Sequence, residues 1–408
     1  MRAGWIALLT ASAIACAQNY SSNLPLDHPA IHYQQGPLED PVARLVKRIA
    51  TGETKLEYRE GGLSYLPSLL ENLGVNIDSQ ALVFSKTSFQ ATRISPRNPR
   101  AIYFNDNVAV GWVRGGDGME IAAVDPKQGV VFYALSTAKP EKPAVARPEF
   151  MRKEMCLHCH YNAATLGVPG IFVGSVFPDS AGNPDRQGAI ITDHRTPFKD
   201  RWGGWYVTAT RGEQRDRANA IAPDPSDPQT LQTEGRQNLS SLIREFNTSG
   251  YLTQSSDIVA LMTFEHQTQM TNLMTRLSWQ SRIGAPKSEI DNDVAAIVKY
   301  MVFADEAPLR EPVEGVSTFT QSFERRGPRD AQGRSLRDFD LRTRLFKYPL
   351  SYMIYSAQFD ALPDSIRDAI FGKLYVALAT APQGQAIVEI LRETKSNLPG
   401  YFKRDFTR

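Results

Sequence analysis

The chain has 408 residues, 42% of them hydrophobic and 22% charged, with a formal net charge of +2. That apolar content supports a sizeable core over roughly two to three domains, and nothing in the near-balanced charge argues for a nucleic-acid partner. Beyond the N-terminus no stretch reaches the ~18 consecutive apolar residues of a membrane span, so no transmembrane segment is expected.

Residues 1–17 have the layout of an export signal. Arg2 supplies the positive start, a short apolar run follows from Ala3, and Ala13, Ala15 and Ala17 offer small-x-small cleavage sites. Two processing routes stay open. Plain cleavage would free the mature chain into the periplasm; a lipoprotein site at Ala13 to Cys16 would leave it anchored by lipid on Cys16. Residues 18–79 are expected as an extended leader with short helices. Asp40 before Pro41 reads as an N-cap and first-turn proline, starting a helix that runs to Ala50 and stops at Thr51-Gly52. Tyr65 to Leu73 reads as a second.

From 80 to 138 the pattern changes to β. Runs at 81–84, 101–104, 108–113, 119–124 and 129–135 are separated by turn signals such as Asn105-Asp106-Asn107, Gly115 to Gly118 and Asp125 to Gly129. They predict a small antiparallel unit, which Lys139 to Pro143 breaks off.

Residues 148–155 read as a polar helical lead-in to Cys156-Leu157-His158-Cys159-His160. The chain has only 3 Cys; one lies in the export segment and the other two are here. Two intervening residues put both sulfurs on one side of a helical turn, and the next residue follows directly beneath. A dithiol redox motif normally starts a helix straight after a buried strand, which this lead-in does not resemble. Zinc needs four ligands, and no second C-x-x-C or H-x3-H exists. A bare disulfide gives His160 no role. C-x-x-C-H is the attachment sequence for c-type haem.

On this motif the chain resembles the c-type cytochromes. The resemblance implies one covalent haem c per chain, thioether bonds at Cys156 and Cys159, and His160 as proximal iron ligand. In small cytochromes a Gly-containing stretch then leads to a Pro whose carbonyl accepts the proximal His N–H. Here Tyr161 to Gly167 leads to Val168-Pro169-Gly170, so Pro169 is the matching residue, with an ordinary loop proline as the other reading. The resemblance covers the motif and this short stretch, within a cytochrome c-like region placed at 148–310.

Residues 171–212 mix aromatic, Gly and Pro residues that could wrap a flat apolar ligand or form irregular core; 213–238 read as a surface loop. The rest is helical. Ser256-Asp257 caps a run from Ile258 to about Ile283, ended by Gly284; further helices are expected from Val294 to Phe303 and at 341–359, 363–379 and 383–394, with 311–408 as a helical C-terminal region. The segregation predicts an α+β chain: an antiparallel β unit, a haem-binding segment, then a mainly helical region.

The sixth iron ligand has several candidates. Met262, His266, Met270 and Met274 recur every four residues and share one helical face. His266 or a neighbouring Met could lie over a haem, or the stripe could be core with His266 hydrogen-bonded inside it. His194 is a second candidate, and an open iron a third. Between 325 and 347, Arg325, Arg326, Arg329, Arg334, Arg337, Arg342 and Arg344 alternate with Asp330, Asp338 and Asp340. They form either a self-paired surface or a docking and propionate-binding patch. No Ser-His-Asp order, phosphate loop or paired-carboxylate signature stands out, so no catalytic residue is assigned. The expectation is a periplasmic mono-haem electron-transfer protein with a protein redox partner. A haem oxidoreductase of peroxidase type, or a haem-based sensor, is the alternative if the distal position is open.

Overall fold

The computed structural model describes residues 22–141, 148–224, 227 and 230–404. The expected export segment, with Cys16, lies outside these residues. Helix α1 (Pro41–Ala50) starts where its signals put it: the Asp40 carboxylate accepts from the amides of Val42 and Ala43, and Pro41 fills the first turn. Helix α2 (Leu66–Asn72) follows.

Five strands then run as consecutive antiparallel neighbours: β1 (Ala81–Val83), β2 (Arg100–Phe104), β3 (Val108–Trp112), β4 (Gly118–Asp125) and β5 (Gly129–Ser136). The sheet does not end with this unit. β6 (Phe150–Arg152) joins β5, setting Leu135 opposite Phe150 and Tyr133 opposite Arg152. After the short helix α3 (Leu157–His160) and the hairpin β7 (Val173–Pro178) and β8 (Pro184–Thr192), strand β9 (Trp205–Tyr206) returns beside β1. Among the described residues the order is β6-β5-β4-β3-β2-β1-β9, seven strands in one sheet. The helical lead-in expected at 148–155 is therefore a strand followed by a 3-10 turn, Glu154–Cys156. The open edge of β5 offers unpaired backbone groups, and pairing with them outweighs a weak local preference for helix.

Pleating sends alternate side chains to opposite faces. Leu82, Tyr103, Val110, Ile121, Val131 and Leu135 share one apolar cluster with residues of α1 and α2. The leader belongs to this cluster too. It is docked rather than loose: Ile31 and Tyr33 are buried, and the Tyr33 hydroxyl donates to the Val130 carbonyl at 2.6 Å. On the other face Val83, Phe104 and Ala109 join a second cluster with α4 (Ile258–Ile283). That helix is capped as its sequence predicts, by Asp257 at the start and Gly284 in the left-handed conformation (φ 70°) at the end. It is buried on nearly every side because it runs between the sheet and the C-terminal helices.

Those helices are α5 (Lys287–Met301), α6 (Phe319–Arg325), α7 (Ala357–Asp360), α8 (Asp364–Thr380) and α9 (Gly384–Thr394). α5 begins before the expected Val294, because its first turn is mostly polar and exposed, with Ile290 alone extending the apolar stripe. The long helix expected over 341–359 does not form. The Asp340 carboxylate accepts from the amides of Arg342 and Thr343, and Leu341 takes a positive φ of 57°. That turn spends the groups a helix would need. What remains is a 3-10 turn at Tyr352–Tyr355 and the short α7. The chain is α+β, with its C-terminal region mainly helical. Among the described residues no helix is long and apolar enough to cross a membrane.

Candidate functional site

The 3-10 turn Glu154–Cys156 runs directly into α3, so Cys156, Cys159 and His160 occupy one continuous stretch of helical winding. Both thiols are free; Cys156 is half-buried and Cys159 exposed. Burial, with the Glu120 carboxylate nearby, pushes the Cys156 thiol up to about 11. A thiol held this far above neutrality stays protonated and is a poor spontaneous nucleophile, unlike the activated cysteine of a dithiol oxidoreductase.

His160 is tied to Gly170 twice. Its Nδ1 lies 2.9 Å from the Gly170 carbonyl, and the Gly170 amide donates to the His160 carbonyl at 2.9 Å. A carbonyl only accepts, so Nδ1 carries the proton and Nε2 is the basic nitrogen. The ring sits between Phe132 of β5, at 5.0 Å between centroids, and Phe172, at 5.5 Å. Burial depresses its pKa to about 4, which keeps it neutral, the form that binds a metal.

The expected acceptor was the carbonyl of Pro169. That carbonyl instead accepts from the Val130 amide of β5, at 3.4 Å, and Gly170 takes the histidine. The loop is set from α4: Asn272, fully buried, donates from Nδ2 to the Ile171 carbonyl at 2.8 Å and accepts from the Ile171 amide at 3.2 Å. A Cβ on residue 170 would collide with the Asn272 side chain, so the close approach needs glycine there. Arg276 adds a bond to the Leu166 carbonyl at 2.8 Å. Neither Asn272 nor Phe132 carries a local sequence signal for this role, because both come from distant elements. The one trace in sequence is the Gly directly after Pro169.

His266 does not face this turn. It is 0% exposed, in a different apolar environment from Cys156 and Leu157. Its Nδ1 lies 2.9 Å from Nδ1 of His194 and its Nε2 lies 2.8 Å from the Ser351 hydroxyl. With both nitrogens engaged it has none left for iron, and His194 is drawn into the same core. Met262, Met270 and Met274 are buried in the cluster around α4. The helical stripe is real, but it faces C-terminal residues rather than the C-x-x-C-H turn. Beside it the Arg201–Glu265 ion pair (3.2 Å) is also buried.

Most of the 325–347 arginines are ion-paired within the chain, though only Arg337 is buried. Arg334 pairs with Asp330 and Glu389, Arg329 with Asp338, and Arg337 with Asp106.

The turn fits a covalent haem on three counts: two free thiols on one helical winding, an adjacent imidazole, and a carbonyl that fixes its tautomer. Among the described residues no group of three or more His, Cys, Asp or Glu side chains is arranged to hold a bare metal ion. Comparison with protein-family models, with curated proteins and with solved structures finds no match for this chain.

Proposed function

We propose that the protein is an exported, mono-haem c-type cytochrome that passes single electrons to and from a protein partner in the periplasm. The observation that carries this reading is the Cys156–Cys159–His160 turn with His160 Nδ1 held by the Gly170 carbonyl. Cys156 and Cys159 would hold the haem by thioether bonds and His160 Nε2 would bind its iron. The haem supplies the one-electron couple. The chain does the rest: the Gly170 carbonyl orients the imidazole and raises its basicity, and Phe132 and Phe172 pack beside its ring. The export-type N-terminus supports the reading, since c-type haem is attached outside the bacterial inner membrane.

The test is attachment. Protein matured in a periplasm should keep its haem through denaturation and acid–acetone extraction, and Cys156→Ala with Cys159→Ala together should abolish that. Wild-type chain that never carries haem when denatured sinks the reading.

A second reading is favoured by the burial of both histidine candidates for the distal side, His194 and His266, against each other in the core around α4. An iron with an open sixth position suits a peroxidase-like oxidoreductase or a haem-based sensor. Carbon monoxide binding to the reduced protein separates this class from a six-coordinate carrier, and turnover with peroxide separates enzyme from sensor.

A further inference from the structure

The face of the sheet that carries Phe132 is only half covered. α4 and the Ile171–Phe172 segment close one part of it, where Phe104, Ala109 and Phe132 are buried. The other part is Arg100, Ile102, Gly111, Glu120, Ala122, Ala134 and Met151, in register across β2, β3, β4, β5 and β6. Ile102, Ala122 and Ala134 stay partly open although their strands lie in the middle of the sheet. Central-strand positions are normally buried under a second layer. Ala122 and Ala134 are small, and the described chain covers all three positions only in part.

Polar groups stand at one end of this ledge. Arg100 lies across Gly111, where a Cβ would collide with its guanidinium, to reach Glu120 at 2.6 Å. Arg100 Nε is buried and makes no hydrogen bond within the protein. Arg100 and Glu120 are within electrostatic reach of both Cys156 and His160, so the thiol–imidazole turn borders the same ledge.

The rim is apolar and exposed. Met151 is 39% exposed and Met155 58%. Phe89, 55% exposed, stands between Ser88 and Gln90, whose side chains bond Glu120. Ile191, 43% exposed, pairs with Gly174, which lies against the Phe172 ring. Scattered single apolar residues on a surface need no explanation. Met151, in register with Ala134 on the partly open face, and three more on segments that adjoin Glu120, Cys156 and Phe172 do.

We infer that this open half of the sheet face is the haem's seat, the macrocycle lying over Ile102, Ala122 and Ala134 inside the rim of Phe89, Met151, Met155 and Ile191, with Arg100 as the cation for a propionate. The inference rests on the proposed covalent haem. It makes the cofactor the missing second layer of the sheet, and it explains the small residues as room for a flat ligand. Phe89 and Ile191 are then the apolar edge through which a redox partner would approach.

The test compares carbene footprinting of haem-loaded wild type with that of the haem-free Cys156→Ala/Cys159→Ala chain, read by mass spectrometry. Labelling of Phe89, Met151 and Ile191 should fall several-fold when haem is present, while the remote exposed residues Val376 and Val46 label equally in both. Equal labelling of the rim in a chain shown to carry haem overturns the seat and leaves the cytochrome reading standing; a wild-type chain without haem overturns both. Ala122→Trp and Ala134→Trp provide the second arm. Each should keep the circular dichroism of the haem-free chain, because the new ring is added at a partly open position, yet lower the haem content or shift the Soret band. Wild-type haem content and spectrum in both variants also overturns the seat.

Discussion

His266 Nδ1 and His194 Nδ1 face each other at 2.9 Å deep in the core, and the free nitrogen of His194 has no partner. One ring must donate. If His266 did, the proton of His194 would sit on Nε2, an orphaned buried N–H, which is rarer in folded proteins than an unsatisfied lone pair. The pair is therefore assigned with His194 Nδ1–H donating to His266 Nδ1 and His266 Nε2–H donating to the Ser351 hydroxyl. His266→Gln should cost about 1–3 kcal/mol of stability through a broken buried bond. It should leave the visible and near-infrared axial-ligand signature of the haem protein unchanged. A changed signature would return His266 to the iron.

The same pair has a pH signature. Burial drives both histidines well below their ordinary pKa, helped by Arg195 and Arg201 around His194; only Asp193 works the other way, at His266. With pKa lowered, the unfolded chain binds more protons than the folded one as pH drops below about 6.5. Stability is lost on that limb, by up to about 1.4 kcal/mol per pH unit for each histidine. Glu265, raised to about 7 by burial despite Arg201, has the opposite sign: the folded chain keeps its proton, so stability is lost as pH rises through 7. Subtraction isolates the histidines. Between about pH 6.5 and pH 5 the urea midpoint of wild type should drop relative to that of His194→Gln/His266→Gln, whatever the carboxyls add to both. Equal falls would show that the pair is not held neutral.

Arg337 is the one arginine of the 325–347 run that is built into the fold. Its guanidinium lies 4.5 Å from the Phe323 ring centre and 4.3 Å from that of Tyr352, and it pairs with Asp106 in the turn between β2 and β3. It pins the C-terminal region to the sheet. Arg337→Lys keeps the charge and loses the flat stacked group, so it should cost about 1–3 kcal/mol. The exposed Arg342→Gln should stay within about 0.5 kcal/mol of wild type. Similar losses in chemical denaturation for both would contradict this division.

What the sequence made legible was what local chemistry decides. Asp40 with Pro41, and Asp257 with Gly284, set helix ends through hydrogen bonds that span a few residues, and the hydrophobic alternation at 81–135 sets the strands. The C-x-x-C-H turn is legible for the same reason. What was hidden depends on partners far along the chain. β6 and β9 are three and two residues long and exist because sheet edges wait for them. The Met262–Met274 spacing correctly places four side chains on one face, but periodicity cannot say which neighbour that face meets. Likewise Pro169 was one residue from the acceptor, because Val130, brought in by β5, claims its carbonyl and leaves Gly170 for the histidine.

Asn272 is the residue through which α4 holds the loop that orients His160. Its two hydrogen bonds to Ile171 fix the backbone one residue beyond the Gly170 carbonyl, and that carbonyl fixes His160. Asn272→Ala keeps the helix, removes both bonds, and leaves the Ile171 amide and carbonyl without those partners. The expected loss is about 1–3 kcal/mol of stability, which by itself a structural role would also produce. The distinguishing readout is electronic. A looser Gly170 carbonyl weakens the Nδ1–H bond, makes the imidazole a poorer donor, and favours the reduced iron. The reduction potential of the haem protein should therefore rise in Asn272→Ala. In Asn272→Asp one of the two bonds can persist, through the carboxylate accepting from the Ile171 amide, and the potential should return part of the way towards wild type. A potential unmoved in both variants, with the stability loss present, would reduce Asn272 to packing and detach α4 from control of His160.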